Sequence, residues 1–222
     1  MRLFRDKCQA SPTYARVAPF VIFLILTSAP SVLGDSTRFW FYFAKTFVGA
    51  WLVWEMRAFV SELRWAISWE AVVVGIGVCV MWVGLDSFYP QAKVTGPFWN
   101  PHAEFGQGSA LAWLFIVVRT LGMTFVVPPL EEAFYRSFLY RYFVRINFLE
   151  MPLRQFHPTS FLVTAIIFGV SHQQWLAGIL CGLAYQWLVI RKGRLGDAMT
   201  AHAITNFLLA VWVVWRGDWK FF

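Results

Sequence analysis

Residues 110–136 read ALAWLFIVVRTLGMTFVVPPLEEAFYR. The stretch from Ala110 to Val127 is apolar apart from Arg119, Thr120 and Thr124. A run of that length with so few charges is a candidate membrane-crossing helix. The motif that follows, Pro128 to Arg136, sets two adjacent carboxylates and an arginine at its edge. Ionisable groups at membrane depth are costly and mark a functional site by default. On a helix Glu132 and Arg136 are four apart and share a face, where they can ion-pair. Glu131 is turned away by about 100°. One carboxylate is then neutralised and structural, and its neighbour is free for chemistry. The competing reading is a solvated helix end of mixed charge.

Working outward, the composition supports a membrane protein. Of the 222 residues, 59% are hydrophobic and 19% aromatic, and only 14% are charged. Soluble domains carry about 25% charged residues. The net charge of +7 does not point to nucleic acid, because the basic residues cluster in short segments between apolar runs. Cytoplasmic loops look like that under the positive-inside rule. Cys79 and Cys181 lie in apolar runs and read as small buried hydrophobes. Cys8 is juxtamembrane, and no zinc spacing of Cys and His occurs.

The expected fold is all-α: a polytopic membrane bundle of about seven helices forming one domain, 1–222. Basic residues precede an apolar run from Val17 to Leu33, a signal-peptide-like layout read here as an uncleaved first span. The second run is Phe39 to Met56, with Lys45 inside it as a snorkelling or acid-paired cation. Arg57 to Glu70 reads as an amphipathic surface segment. The third run, Ala71 to Leu85, is short and is expected to begin near Trp65. Asp86 to Gly108 is a polar connection broken by Pro and Gly, and its one basic residue, Lys93, places it outside. Helical pattern continues from Phe134 to Phe148. Basic segments at Arg57, Arg136–Arg154 and Arg191–Arg194 fall on the side of the N-terminus, which is expected in the cytoplasm. A bacterial cytoplasmic (inner) membrane is the expected location.

Further polar groups interrupt the later apolar runs. Phe168 and His172 are four apart, as are His202 and Asn206. Burial makes a carboxylate a stronger base. A histidine beside it can orient water, and a second His with Asn can donate to an oxyanion. That set suffices to hydrolyse a peptide bond without a covalent intermediate.

Glu131-Glu132-x-x-x-Arg136, Phe168-x-x-x-His172 and His202-x-x-x-Asn206, in that order, resemble the three-motif signature of the CPBP intramembrane proteases. These are the Rce1-like type II CAAX prenyl endopeptidases and their bacterial relatives. The resemblance covers about Pro128 to Ala210, and the N-terminal half shares only its hydrophobic helices. It implies an α-helical membrane endopeptidase with its site near the cytoplasmic leaflet and no cofactor. Glu131 would be the base, assisted by His172, with His202 and Asn206 as the oxyanion hole. Glu132 and Arg136 would hold their helix in place, and Phe168 would shape the pocket. The implied partners are membrane lipids and a peptide or lipidated protein cut near its terminus. Two alternatives stand beside it: a zinc protease with ligands Glu131, His172 and His202, and a non-enzymatic transporter or scaffold. The sequence leaves the substrate and the oligomeric state open.

Overall fold

A computed structural model describes residues 2–34, 37–92 and 98–222. Lys93 and the breakers Gly96 and Pro97 lie outside the described residues. The elements in order are α1 (Arg2–Ala10), α2 (Pro12–Leu33), α3 (Arg38–Met56), α4 (Trp69–Leu85) and α5 (Pro101–Phe105). After these come α6 (Ala110–Tyr142), α7 (Pro158–Val170), α8 (Trp175–Lys192) and α9 (Gly196–Arg216). There is no strand among the described residues.

Three helices, α2, α6 and α9, are long and apolar enough to cross a membrane, and α4 and α7 are shorter apolar helices. Leu24, Ile25, Phe47, Trp54, Val117 and Leu121 are exposed along α2, α3 and α6. A soluble protein would hide such a surface, whereas lipid accommodates it.

Local chemistry sets the helix ends. Ser68 accepts a hydrogen bond from the Ala71 N–H and starts α4 at Trp69. The expected start near Trp65 is therefore four residues early. Residues 57–68, most of the expected amphipathic surface segment, are turns and irregular structure. Glu62 turns inward instead, and its carboxylate is 2.6 Å from both Arg16 and Arg141. Burial alone would raise the Glu62 pKa, but the two guanidiniums outweigh it and hold the carboxyl below its ordinary value. This cluster ties the start of α2 to the end of α6. The helical pattern expected up to Phe148 stops at Tyr142.

The bundle thus has a basic end, where Arg16, Arg141, Arg154 and Lys192 are knitted to loops and acids. At the opposite end Lys220 pairs with Asp86 at 2.7 Å, and Arg38 lies 3.6 Å from Glu104. The hydrogen bond to Asp86 raises the Lys220 ammonium pKa.

The main core packs α4, α7, α8 and α9 around Phe168, Tyr185 and Met199. A second joins α1, α2 and α3 to Leu130 and Ala133 of α6. A third is aromatic and holds Phe39, Tyr42, Trp99 and Phe115.

Candidate active site

The carboxylate motif sits inside a continuous helix, not at the solvated helix end of the competing reading. Pro128 and Pro129 offer no N–H to the preceding turn. The helix absorbs them by widening to a π-helical turn at Gly122–Val126, where the Val127 N–H bonds to the Gly122 carbonyl, five residues back. A second π-helical stretch, Ala133–Leu139, follows the motif. Single π turns of this kind are frequent at functional sites.

The first π turn fixes a motif side chain. In an α-helix the Met123 carbonyl would accept from the Val127 N–H. That N–H is diverted to Gly122, so the Met123 carbonyl needs another donor. Asn206 supplies it, with Nδ2 donating at 2.7 Å. The amide has a second N–H to offer.

Glu131, Phe168, His172, His202 and Asn206 line one cavity of about 290 Å³. Glu132 and Arg136 are buried behind it, 0% and 1% exposed. Arg136 Nε is 3.2 Å from Glu132 Oε2, a close ion pair that is not aligned as a hydrogen bond. The guanidinium also lies over the Phe168 ring, 4.3 Å from its centroid. Glu131 Oε2 is buried too, yet accepts no hydrogen bond from the protein. The two adjacent carboxylates are thus in different states of neutralisation.

Both histidines have a determined tautomer when neutral. His172 Nδ1 lies 2.8 Å from the Phe168 carbonyl, which can only accept, so Nδ1 carries the hydrogen and Nε2 the lone pair. His202 Nδ1 lies 3.0 Å from Glu132 Oε1 and donates to it. Its Nε2 is 3.9 Å from Glu131 Oε2. Glu132 therefore serves two partners, Arg136 and His202, and the spacing argument had given it only the first.

Several contributors carried no sequence signal. Tyr185 stacks on His202 with centroids 5.2 Å apart and donates to Thr205 at 2.7 Å. Thr205 in turn donates to the Gly75 carbonyl at 2.8 Å, tying α8, α9 and α4 together. Trp82 meets the His172 ring edge-on. Cys181, remote from the motif histidines in sequence, lines the same cavity, as do Lys220 and Phe221 of the tail. The zinc reading requires Glu131, His172 and His202 to converge. Among the described residues no three His, Cys, Asp or Glu side chains form such a group.

Residues 109–208 match the family model of type II CAAX prenyl endopeptidases, Rce1-like. Over that segment the chain is similar to the Rce1-like family. The match begins at Ser109, whose hydroxyl caps α6, and ends within α9. The Rce1-like segment thus holds all three motifs, and α1 to α5 lie outside it. The family is one of peptide-bond hydrolases. No curated protein and no solved structure matches the chain.

Proposed function

We propose that this Rce1-like chain is an intramembrane endopeptidase that works through a water activated by Glu131. The observation that carries the reading is the asymmetry of the two carboxylates. Glu132 is committed to Arg136 and His202, whereas Glu131 faces the cavity with an unpartnered oxygen.

Glu131 takes a proton from water as the oxygen attacks the scissile carbonyl carbon. The His172 Nε2 lone pair accepts the other water hydrogen and aims the oxygen. The carbonyl oxygen becomes an oxyanion, which the second N–H of Asn206 and Nε2–H of His202 receive. With Nδ1 already bonded to Glu132, donation from Nε2 requires the imidazolium form. Glu132 stabilises that form and holds the ring in register. The C–N bond then breaks, and protonated Glu131 returns its proton to the leaving amine. No step uses a metal. The substrate is the terminal region of a membrane-associated or lipidated protein. Seven helices span the membrane, with the N-terminus and the basic end in the cytoplasm of a bacterial inner membrane.

The test compares protein termini by mass spectrometry in membranes carrying wild type or Glu131→Gln at matched folded levels. Termini that appear only with wild type and persist in chelator are expected. Identical termini would overturn the protease reading, and chelator-sensitive ones the metal-free mechanism.

A further inference from the structure

Lys45 and Arg119 are cations within apolar runs that the proposed mechanism does not use. Neither behaves as expected of a charge in a span. Lys45 does not snorkel outward: it is 9% exposed, and its Nζ donates to the Thr27 hydroxyl at 3.1 Å. It lies 4.3 Å from the Tyr42 ring centroid. The Arg119 guanidinium sits over Tyr42, Trp99 and Phe222 at 4.3, 4.5 and 5.0 Å. Its Nε is buried without a hydrogen-bond partner. Among the described residues neither cation is ion-paired to a carboxylate. Glu131 is within electrostatic reach of Lys45 but not within ion-pair distance.

Both cations line a cavity of about 210 Å³, with the Tyr42 hydroxyl as a further donor and Arg38 also in the lining, while the Thr27 hydroxyl already donates to the Phe23 carbonyl. Two like charges facing one cavity repel, and taking each from water is costly. Aromatic faces offset only part of that cost. A bound anion would offset the rest.

Position narrows the anion's identity. Lys45 lies seven residues into α3 from Arg38, about 10 Å along the helix. Thr27 and Pro30 are in the last two turns of α2 before Leu33. Lys45 and Thr27 thus lie about 10 Å in from the ends of their helices. Leu26 and Phe41 line the cavity beside the cations, and lipid-facing Leu24 and Ile25 flank it on α2. Basic pockets between membrane helices bind phosphate headgroups on the cytoplasmic side, and the two cations offer the same chemistry at the other end of the bundle.

We propose that Lys45 and Arg119 form a binding site for a phosphate group, of an anionic phospholipid or of free phosphate. The site lies at the end of the bundle opposite the basic loops. Phe222 separates it from the candidate active site: its ring lies under Arg119 and also lines the catalytic cavity. The site does not depend on the protease reading.

The test measures thermal unfolding by tryptophan fluorescence in phosphatidylcholine nanodiscs. One arm adds phosphatidylglycerol and another adds inorganic phosphate. Saturating phosphatidylglycerol is expected to raise the wild-type Tm by about 5–10 °C. Lys45→Met with Arg119→Leu should abolish that shift while leaving the Tm in phosphatidylcholine unchanged or higher. Lys45→Arg, which keeps the charge, should keep the shift. An equal shift with inorganic phosphate would support the site and assign it to a soluble ligand. No wild-type shift in either arm, or an undiminished shift in the double variant, would overturn it. If the double variant does not fold, Lys45→Gln alone must lower the shift, and an unchanged shift overturns the proposal.

Discussion

At the scale of residues, Glu131 and Glu132 differ by what surrounds them. Glu132 has no solvent exposure and sits between Arg136 and His202. Glu132→Gln removes a charge that two buried partners use, and Arg136→Ala leaves Glu132 without its cation. Breaking a buried pair in this way costs about 3–5 kcal/mol. Both variants should therefore give less folded protein by size exclusion in detergent, and a lower Tm. Glu131→Gln leaves a carboxylate position that no protein group contacts by hydrogen bond, and its yield should match wild type. Equal yields for all three would defeat the division of labour. The Glu132–Arg136 pair was legible because four residues along a helix bring two side chains together. The bond from His202 to Glu132 was not, because those residues are 70 apart in the chain. No local periodicity reports which helix faces which. Lys45 and Arg119 stood out in the sequence for the same reason as the motif, as charges in apolar runs. Their aromatic surroundings come from four separate segments and left no pattern to read.

At the scale of elements, hydrophobic runs located the long helices but not their ends or interiors. The helix runs through Pro128-Pro129 because a π turn reassigns one N–H and Asn206 serves the freed carbonyl. The start of α4 was set by one serine cap, which hydropathy does not weigh. Small residues set the spacing of α7 and α8. Gly178 lies against the Gly169 backbone and Gly182 against Ala165. Helices in membranes associate through such close approach. A Cβ on Gly169 would press on the Ile179 side chain and come 2.5 Å from Ile179 N and 2.7 Å from the Trp175 carbonyl, none of which can yield without moving α8. Gly169→Ala should cost about 1–3 kcal/mol by overpacking. It should also reduce activity, because His172 hangs from the end of α7, bonded to Phe168 one residue before that contact. Gly84→Ala in α4, with nothing within 4 Å of the added atom, is the control and should leave Tm and activity intact. A Gly169→Ala protein as stable and active as that control would show that α7 and α8 are not packed so closely.

At the scale of the whole molecule, charge and cavity lie at opposite ends, and two expectations drawn from the sequence collide. The positive-inside rule places Arg57, Arg64, Arg145, Arg154 and Arg191–Arg194 in the cytoplasm. Among the described residues the other end carries Arg38, Arg216 and Lys220 against Asp86, Glu104 and Asp218, with no excess of either sign. The catalytic cavity reaches that second end: its lining includes Gln173, Gln174 and Lys220. Gln173 accepts a bond from Ala92, and Trp175 donates to Pro90, both in the connection after α4. Glu132, Arg136 and the Arg16–Glu62–Arg141 cluster of the basic end are not in the cavity lining. A site opening to the cytoplasmic leaflet, as the family resemblance implies, would need the basic loops outside. The charge rule has a physical basis in the cost of translocating cations, whereas the resemblance transfers an orientation from other chains, so the first is the better guide. Gln173→Cys, in a background without Cys8, Cys79 and Cys181, should therefore react with a membrane-impermeant maleimide in intact spheroplasts. Arg145→Cys, exposed at the basic end, should react only after permeabilisation. The reverse pattern would place the cavity on the cytoplasmic side and show that this chain inserts against its charge bias. With the expected pattern, a peptide to be cut would reach Glu131 from the non-cytoplasmic side.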